Sequence, residues 1–136
     1  MKFPKIILLA LPFLAIMSCQ ESGPKDFLLE KDQCDNCKMT ITDLTYATEL
    51  ITEKGRVYKF DDISCMTMYE NSEADKVKNS KKYVINAPTG KFLELPKATL
   101  ITGGSIKSPM GGNTQAFENK EAAQKAAATL GASIIN

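Results

Sequence analysis

Histidine and tryptophan are both absent from the 136-residue chain. Without imidazole, a metal site here is a sulfur site, helped at most by carboxylate or carbonyl oxygen, and soft ligands select Cu(I) over harder ions. The missing tryptophan bears on the pair Cys34/Cys37, which lacks the Trp that precedes a thioredoxin-type motif. The residues that follow, Lys38-Met39-Thr40-Ile41-Thr42, form a β-like run. A redox pair should instead open a helix, whose N-terminus acidifies the first thiol. Basic clusters are also missing: 17 Lys and Arg are interspersed with 16 Asp and Glu, which argues against nucleic acid and against attachment to lipid through charge. Asp61-Asp62 is accompanied by no histidine, nucleophile or phosphate loop, so the doublet is read as helix capping rather than as paired catalytic carboxylates. The chain reads as a binding protein, not an enzyme.

One apolar run, residues 6–17, opens the sequence, and Pro12 interrupts it. It is too short to cross a bilayer comfortably and reads as a secretory signal. Ser18-Cys19 at its end resembles the lipobox of bacterial lipoproteins, in which the cysteine is acylated and becomes the first mature residue. An ordinary signal with an incidental cysteine is the alternative. The expected division is a signal peptide over 1–18, a lipidated Cys19 with a tether over 19–33, and a metal-binding domain over 34–136. A flexible tether of that length spans about 20 Å, placing the first thiols just above a membrane. The protein is expected to face the periplasm, with inner and outer membrane left open.

With Cys19 committed to lipid, Cys34, Cys37 and Cys65 remain, an odd number in an exported chain. At most one disulfide forms among them, and the remaining thiol needs a reason, which a bound metal supplies. A Cys34–Cys37 disulfide that only stiffens a loop, or one that cycles with partner thiols, stays open on these grounds. Zinc would require three thiolates plus an oxygen. Cys65 is either a buried core thiol or a ligand in the first turn of a helix capped by Asp61 or Asp62. Met66 and Met68 on that helix are core filler or further ligands. Met110 lies between Pro109 and Gly111-Gly112, a loop in which a packed apolar anchor is less expected. Thioethers bind Cu(I) softly and cannot be lost to disulfide formation.

The pattern of β-branched and aromatic residues predicts strands over 44–52 and 56–60 with a turn at Glu53-Lys54-Gly55, then a short helix to about Glu70. Residues 71–82 read as a solvated linker. The second half repeats this grammar, with strands over 83–86, 92–95 and 98–102, a Gly/Pro loop over 103–112, a helix from Lys120 to about Leu130 capped by Asn119 and ended by Gly131, and a closing strand at 133–135. The fold class is α+β, with two small hairpin-plus-helix (ββαβ-like) units packed as one compact domain.

The lipobox cysteine, the run from Cys34 to Ile41, the run from Phe60 to Met66, Ser108-Pro109-Met110-Gly111 and the alanine-rich terminal helix together resemble the NosL-type lipoproteins. These are copper-binding accessory proteins associated with nitrous oxide reductase. The family often has Gly where Lys38 stands. The resemblance implies Cu(I) binding and delivery rather than catalysis, with the copper acceptor enzyme as partner. It ranks Cys37, Met39 and Met110 as first ligands, Cys34 and Cys65 second, and Met66 and Met68 third.

Overall fold

Alternating β-branched and aromatic side chains build the first hairpin. In a computed structural model, described over residues 23–136, Thr48–Ile51 forms β1 and Val57–Phe60 forms β2, paired antiparallel with Thr48 opposite Phe60. Gly55 sits in the connecting turn at φ +81°, a conformation that costs glycine little. Asp62 then caps α1 (Ile63–Ser72) by accepting the Ser64 N–H at 2.9 Å. Residues 71–82 are more ordered than their polarity suggests. A single turn of helix, α2 (Ala74–Val77), follows α1, because Val77 has a place in the core, where it is only 6% exposed.

β3 (Lys81–Ile85) returns along the other side of β1, and β4 (Phe92–Glu94) adds an edge, giving the antiparallel order β2-β1-β3-β4. The second unit repeats the plan. β5 (Thr99–Thr102) pairs with β6 (Thr114–Phe117), α3 (Lys120–Leu130) follows, and β7 (Ser133–Ile134) comes back beside β5, in the order β6-β5-β7. In both units the first strand of the hairpin is central and the strand after the helix pairs on its free side. Two ββαβ-like units are therefore present, but the strands expected as the hairpin of the second half, over 83–86 and 92–95, are β3 and β4 of the first sheet, and the second hairpin is β5–β6. Asn119 caps α3 through the Ala122 N–H, and Gly131 ends it in the left-handed region at φ +64°. β6 was not foreseen: Thr-Gln-Ala-Phe is short and half polar. It gains its place by pairing with β5 and by a parallel bridge from Ala116 to Asn86 that ties the two sheets together.

Cys65 and Met66 of α1 share one core with Leu50, Phe60 and Ile41, while Ala123 and Ala127 of α3 share another with Ile101, Ile106 and Phe117. Val84, Leu100, Ala98 and Ala116 join the two cores. The opposite face of the first sheet carries Glu49, aligned with Lys59 on β2 and Tyr83 on β3. Residues 25–33, expected as the end of a tether, are fastened across this face. Phe27 stacks on Phe92 with ring centroids 5.8 Å apart, and the Lys25 N–H bonds Glu49 at 2.8 Å. The Lys59 ammonium grips the Asp26 carbonyl at 2.6 Å and the Asp32 carboxylate at 2.7 Å. Covered on both sides, all four residues of β1 are buried. Cys19 and the expected signal segment lie outside the described residues. Among the described residues no helix is long and apolar enough to cross a membrane.

Candidate metal centre

A small hairpin carries the first two thiols. Gln33 pairs antiparallel with Thr40, the Cys34 N–H bonds the Met39 carbonyl at 2.8 Å, and the Glu30 N–H bonds the Ile41 carbonyl at 2.9 Å. Between the two arms the chain turns tightly. The Lys38 N–H returns to the Cys34 carbonyl at 2.9 Å, and the Cys37 N–H points at Cys34 Sγ at 3.5 Å. This turn needs a left-handed residue at position 38. Lys38 adopts φ +66°, a cost of order 1 kcal/mol that glycine would avoid. Asp35 clamps the turn to β2: its N–H donates to the Lys59 carbonyl and its carboxylate accepts the Lys59 N–H, both at 2.8 Å.

Clamping the turn to β2 brings it to the residues that follow that strand. The sulfur atoms of Cys34, Cys37 and Cys65 and a carboxylate oxygen of Asp61 all lie within 4.8 Å of one another. Cys34, Cys65 and Asp61 are buried, and Cys37, half-buried, is the side chain through which the group meets solvent. The Cys37 thiol donates to Asp61 Oδ2 at 3.4 Å, while the buried Asp61 Oδ1 has no hydrogen-bond partner. A buried, unpartnered carboxylate oxygen is costly unless a proton or cation meets it. All three cysteines are free thiols. Burial raises the pKa of Cys34 and raises that of Cys65 much further, with the nearby Asp61 carboxylate acting in the same direction on both. A cation entering here displaces protons from sulfur.

The neighbouring carboxylate does different work. Asp62 is buried, and besides capping α1 it accepts the Ser108 hydroxyl, the Met110 N–H at 3.0 Å and the Gly112 N–H at 3.3 Å. Burial alone would raise its pKa, but the bonds from Ser108, Ser64 and Met110 outweigh it and hold the carboxyl below its ordinary value. Gly112 permits this approach, since a Cβ there would stand 2.2 Å from Asp62 Oδ1. One loop is thus bound to Asp61 and the other to Asp62, so the two loops meet at the doublet. Met39 and Met110 ride on these loops, 44% and 39% exposed.

Of the expected ligands, the structure gathers Cys34, Cys37 and Cys65 into one group. Met68, one turn beyond Cys65, is exposed, whereas Met66 is buried in the core with Phe60 and Leu50. Asp61 lies outside the expected ligands, because capping is by itself a sufficient reason for the doublet in the sequence. A helix start needs one cap, and a second adjacent carboxylate was the available signal.

Three thiols and a carboxylate, held on an α+β scaffold beside two exposed thioether loops, define the donor set of a soft-metal-binding protein. The chain belongs to the NosL family, whose model matches residues 26–136. Its fold is similar to the crystal structure of the copper chaperone NosL from Shewanella denitrificans, with a TM-score of 0.68 and 20% identity, over 83% of this chain and 92% of that one. No curated protein sequence matches it significantly.

Proposed function

We propose that this protein is an exported, lipid-anchored carrier that binds Cu(I) and hands it to a cuproenzyme, nitrous oxide reductase or its assembly complex. The observation that carries the reading is the convergence of Cys34, Cys37, Cys65 and Asp61 within 4.8 Å on the turn, helix and strand end described above. Membership of the NosL family supports it, as does the copper chaperone of the same fold. Cys37, half-buried, with Met39 and Met110 exposed beside it in the chain or across the doublet, forms the accessible side of the site. Copper enters and leaves there by exchange of sulfur ligands. Cys34 and Cys65 supply thiolate from below. Acylation at Cys19 holds the protein at a periplasmic membrane surface, each buried methylene contributing about 0.8 kcal/mol.

A second cargo is favoured by one feature of the site. Three thiolates and a carboxylate oxygen also make a tetrahedral donor set for Zn(II). Anaerobic titration of the reduced protein with Cu(I) against a competing chromogenic chelator, with Zn(II) run alongside, separates the two. Near-stoichiometric Cu(I) binding with weak zinc affinity is expected. Failure to compete for Cu(I) would overturn the carrier reading, and tight zinc binding with weak copper binding would replace it.

A further inference from the structure

Leu28 and Leu29 are the one adjacent pair of large apolar residues exposed among the described residues, at 58% and 41%. Their turn is rigidly built. The Leu28 carbonyl accepts the N–H groups of Lys31 at 3.0 Å and Asp32 at 2.8 Å, the Leu28 N–H bonds the Asp32 carboxylate at 2.9 Å, and Glu30 adopts φ +64°. Asp32 is in turn fixed by the Lys59 ammonium. Phe27, the residue before, packs inward on Phe92, so the apolar contact with the sheet is already made and the two leucines are left over. A turn fixed by so many bonds while displaying two leucines is built to present them.

We propose that the Leu28–Leu29 turn is a membrane-docking surface whose occupant is the interfacial layer of a phospholipid bilayer. The proposal rests on the lipid-anchor reading of Cys19. Six residue steps lead from Cys19 to Lys25, where the chain is bonded to Glu49, and fully extended they reach at most about 20 Å. An acylated Cys19 therefore keeps this turn within a short distance of the headgroups at all times. The charges flanking the leucines, Asp26, Glu30 and Lys31 with Lys25, are mixed in sign, so insertion is apolar and independent of anionic lipid. The turn lies at the far end of the hairpin that carries the thiols. Five residue steps run from Leu29 to Cys34, so docking holds that thiol no more than about 17 Å along the chain from the inserted leucines.

The absence of tryptophan provides a clean reporter. Leu28→Trp is introduced in the full chain, and its emission is compared in phosphatidylcholine vesicles with and without brominated acyl chains. Ile135→Trp, at an exposed position on the segment after β7, serves as the control. About two-fold quenching or more is expected for Leu28→Trp and little for Ile135→Trp. Vesicle flotation of the unsubstituted chain compared with Cys19→Ser reports the anchor. Flotation without quenching of Leu28→Trp overturns the docking surface and leaves the anchor standing. Quenching with flotation that Cys19→Ser does not change supports the surface and removes the anchor. Equal quenching at both positions, or neither flotation nor quenching, overturns the proposal.

Discussion

Cys37 is the residue on which the site turns. It is the half-buried member of the thiol group, it faces Asp61 at 3.4 Å, and no second cysteine can take its place on the solvent side. Cys37→Ser and Met110→Ala are expected to weaken Cu(I) binding by more than about 100-fold, beyond what outer-sphere changes at metal sites cost. Met66→Leu is expected to leave affinity unchanged and to cost under about 1.5 kcal/mol of stability, as a volume-conserving swap in a packed core. Chelator competition on the three variants checks this, and equal small effects would sink the ligand assignment. Asp61→Asn keeps the shape and removes the charge. Because oxygen is a poor ligand for Cu(I) and an ordinary one for Zn(II), zinc affinity should fall by about 100-fold and Cu(I) affinity by less than about 10-fold. The three thiols were legible because an odd cysteine count demands a reason in a chain expected to be exported. Asp61 was not, because adjacent carboxylates before a helix look alike until one is seen bonded to the Ser64 amide and the other to a thiol.

At the scale of elements, the site depends on loops held by one side chain. Asp62 joins the start of α1 to the loop 108–112, so Asp62→Ala removes a helix cap, costing about 1 kcal/mol, and also leaves the Met110 and Gly112 amides without their partner. The variant is expected to lose both thermal stability and Cu(I) affinity, although Asp62 is bonded to the loop and not to the thiols. Gly112→Ala drives a Cβ against Oδ1, the oxygen that caps α1, while the Met110 and Gly112 amides bond Oδ2, so loop and carboxylate must part and the variant should lose copper affinity together with some stability. Thermal melts and chelator competition on the pair check both losses. If Gly112→Ala binds copper like the parent, the Met110 loop has no part in the site. Since the Asp62 carboxyl sits below its usual value of 3.8, its stabilisation is complete above that pH and is lost as pH falls through the lower folded value. The glycines and proline of this loop announced a loop but not its anchor. Its attachment depends on a residue 46 positions away from Ser108, which local pattern does not reveal. The short strand β6 was hidden for the same reason, since its order comes from β5 and Asn86 rather than from its own composition.

For the whole molecule, the period-two and helical patterns disclosed most strands and the two main helices because each buries a regular face. They did not disclose the grouping, since the strands read as the second half's hairpin complete the first sheet as β3 and β4. Nor did the patterns disclose that residues 25–33 cover the other face of the first sheet, since of Phe27, Leu28 and Leu29 only Phe27 packs onto it and the run has no period. Covering this face buries Glu49 completely, with one oxygen bonded to the Lys25 amide and the other without a partner. Burial raises its pKa, against the lowering influence of Lys25 and Lys59, with Asp32 adding slightly to the rise and Tyr83 opposite on β3. The folded state therefore holds the Glu49 proton more tightly than the unfolded chain does. The sign follows from proton linkage: this carboxyl favours folding most fully below its ordinary value of 4.5, and stability declines as pH rises through the raised folded value. Glu49→Gln keeps an acceptor for the Lys25 amide and removes the ionisation. Urea denaturation of parent and variant across pH 4–8 should give curves that nearly coincide at the acid end and separate as pH rises, with the variant more stable at neutrality. A variant less stable than the parent at neutral pH would mean that Glu49 is held as an anion by Lys25 and Lys59, and that the segment leading to Cys19 is fastened by charge rather than by a neutral buried carboxyl.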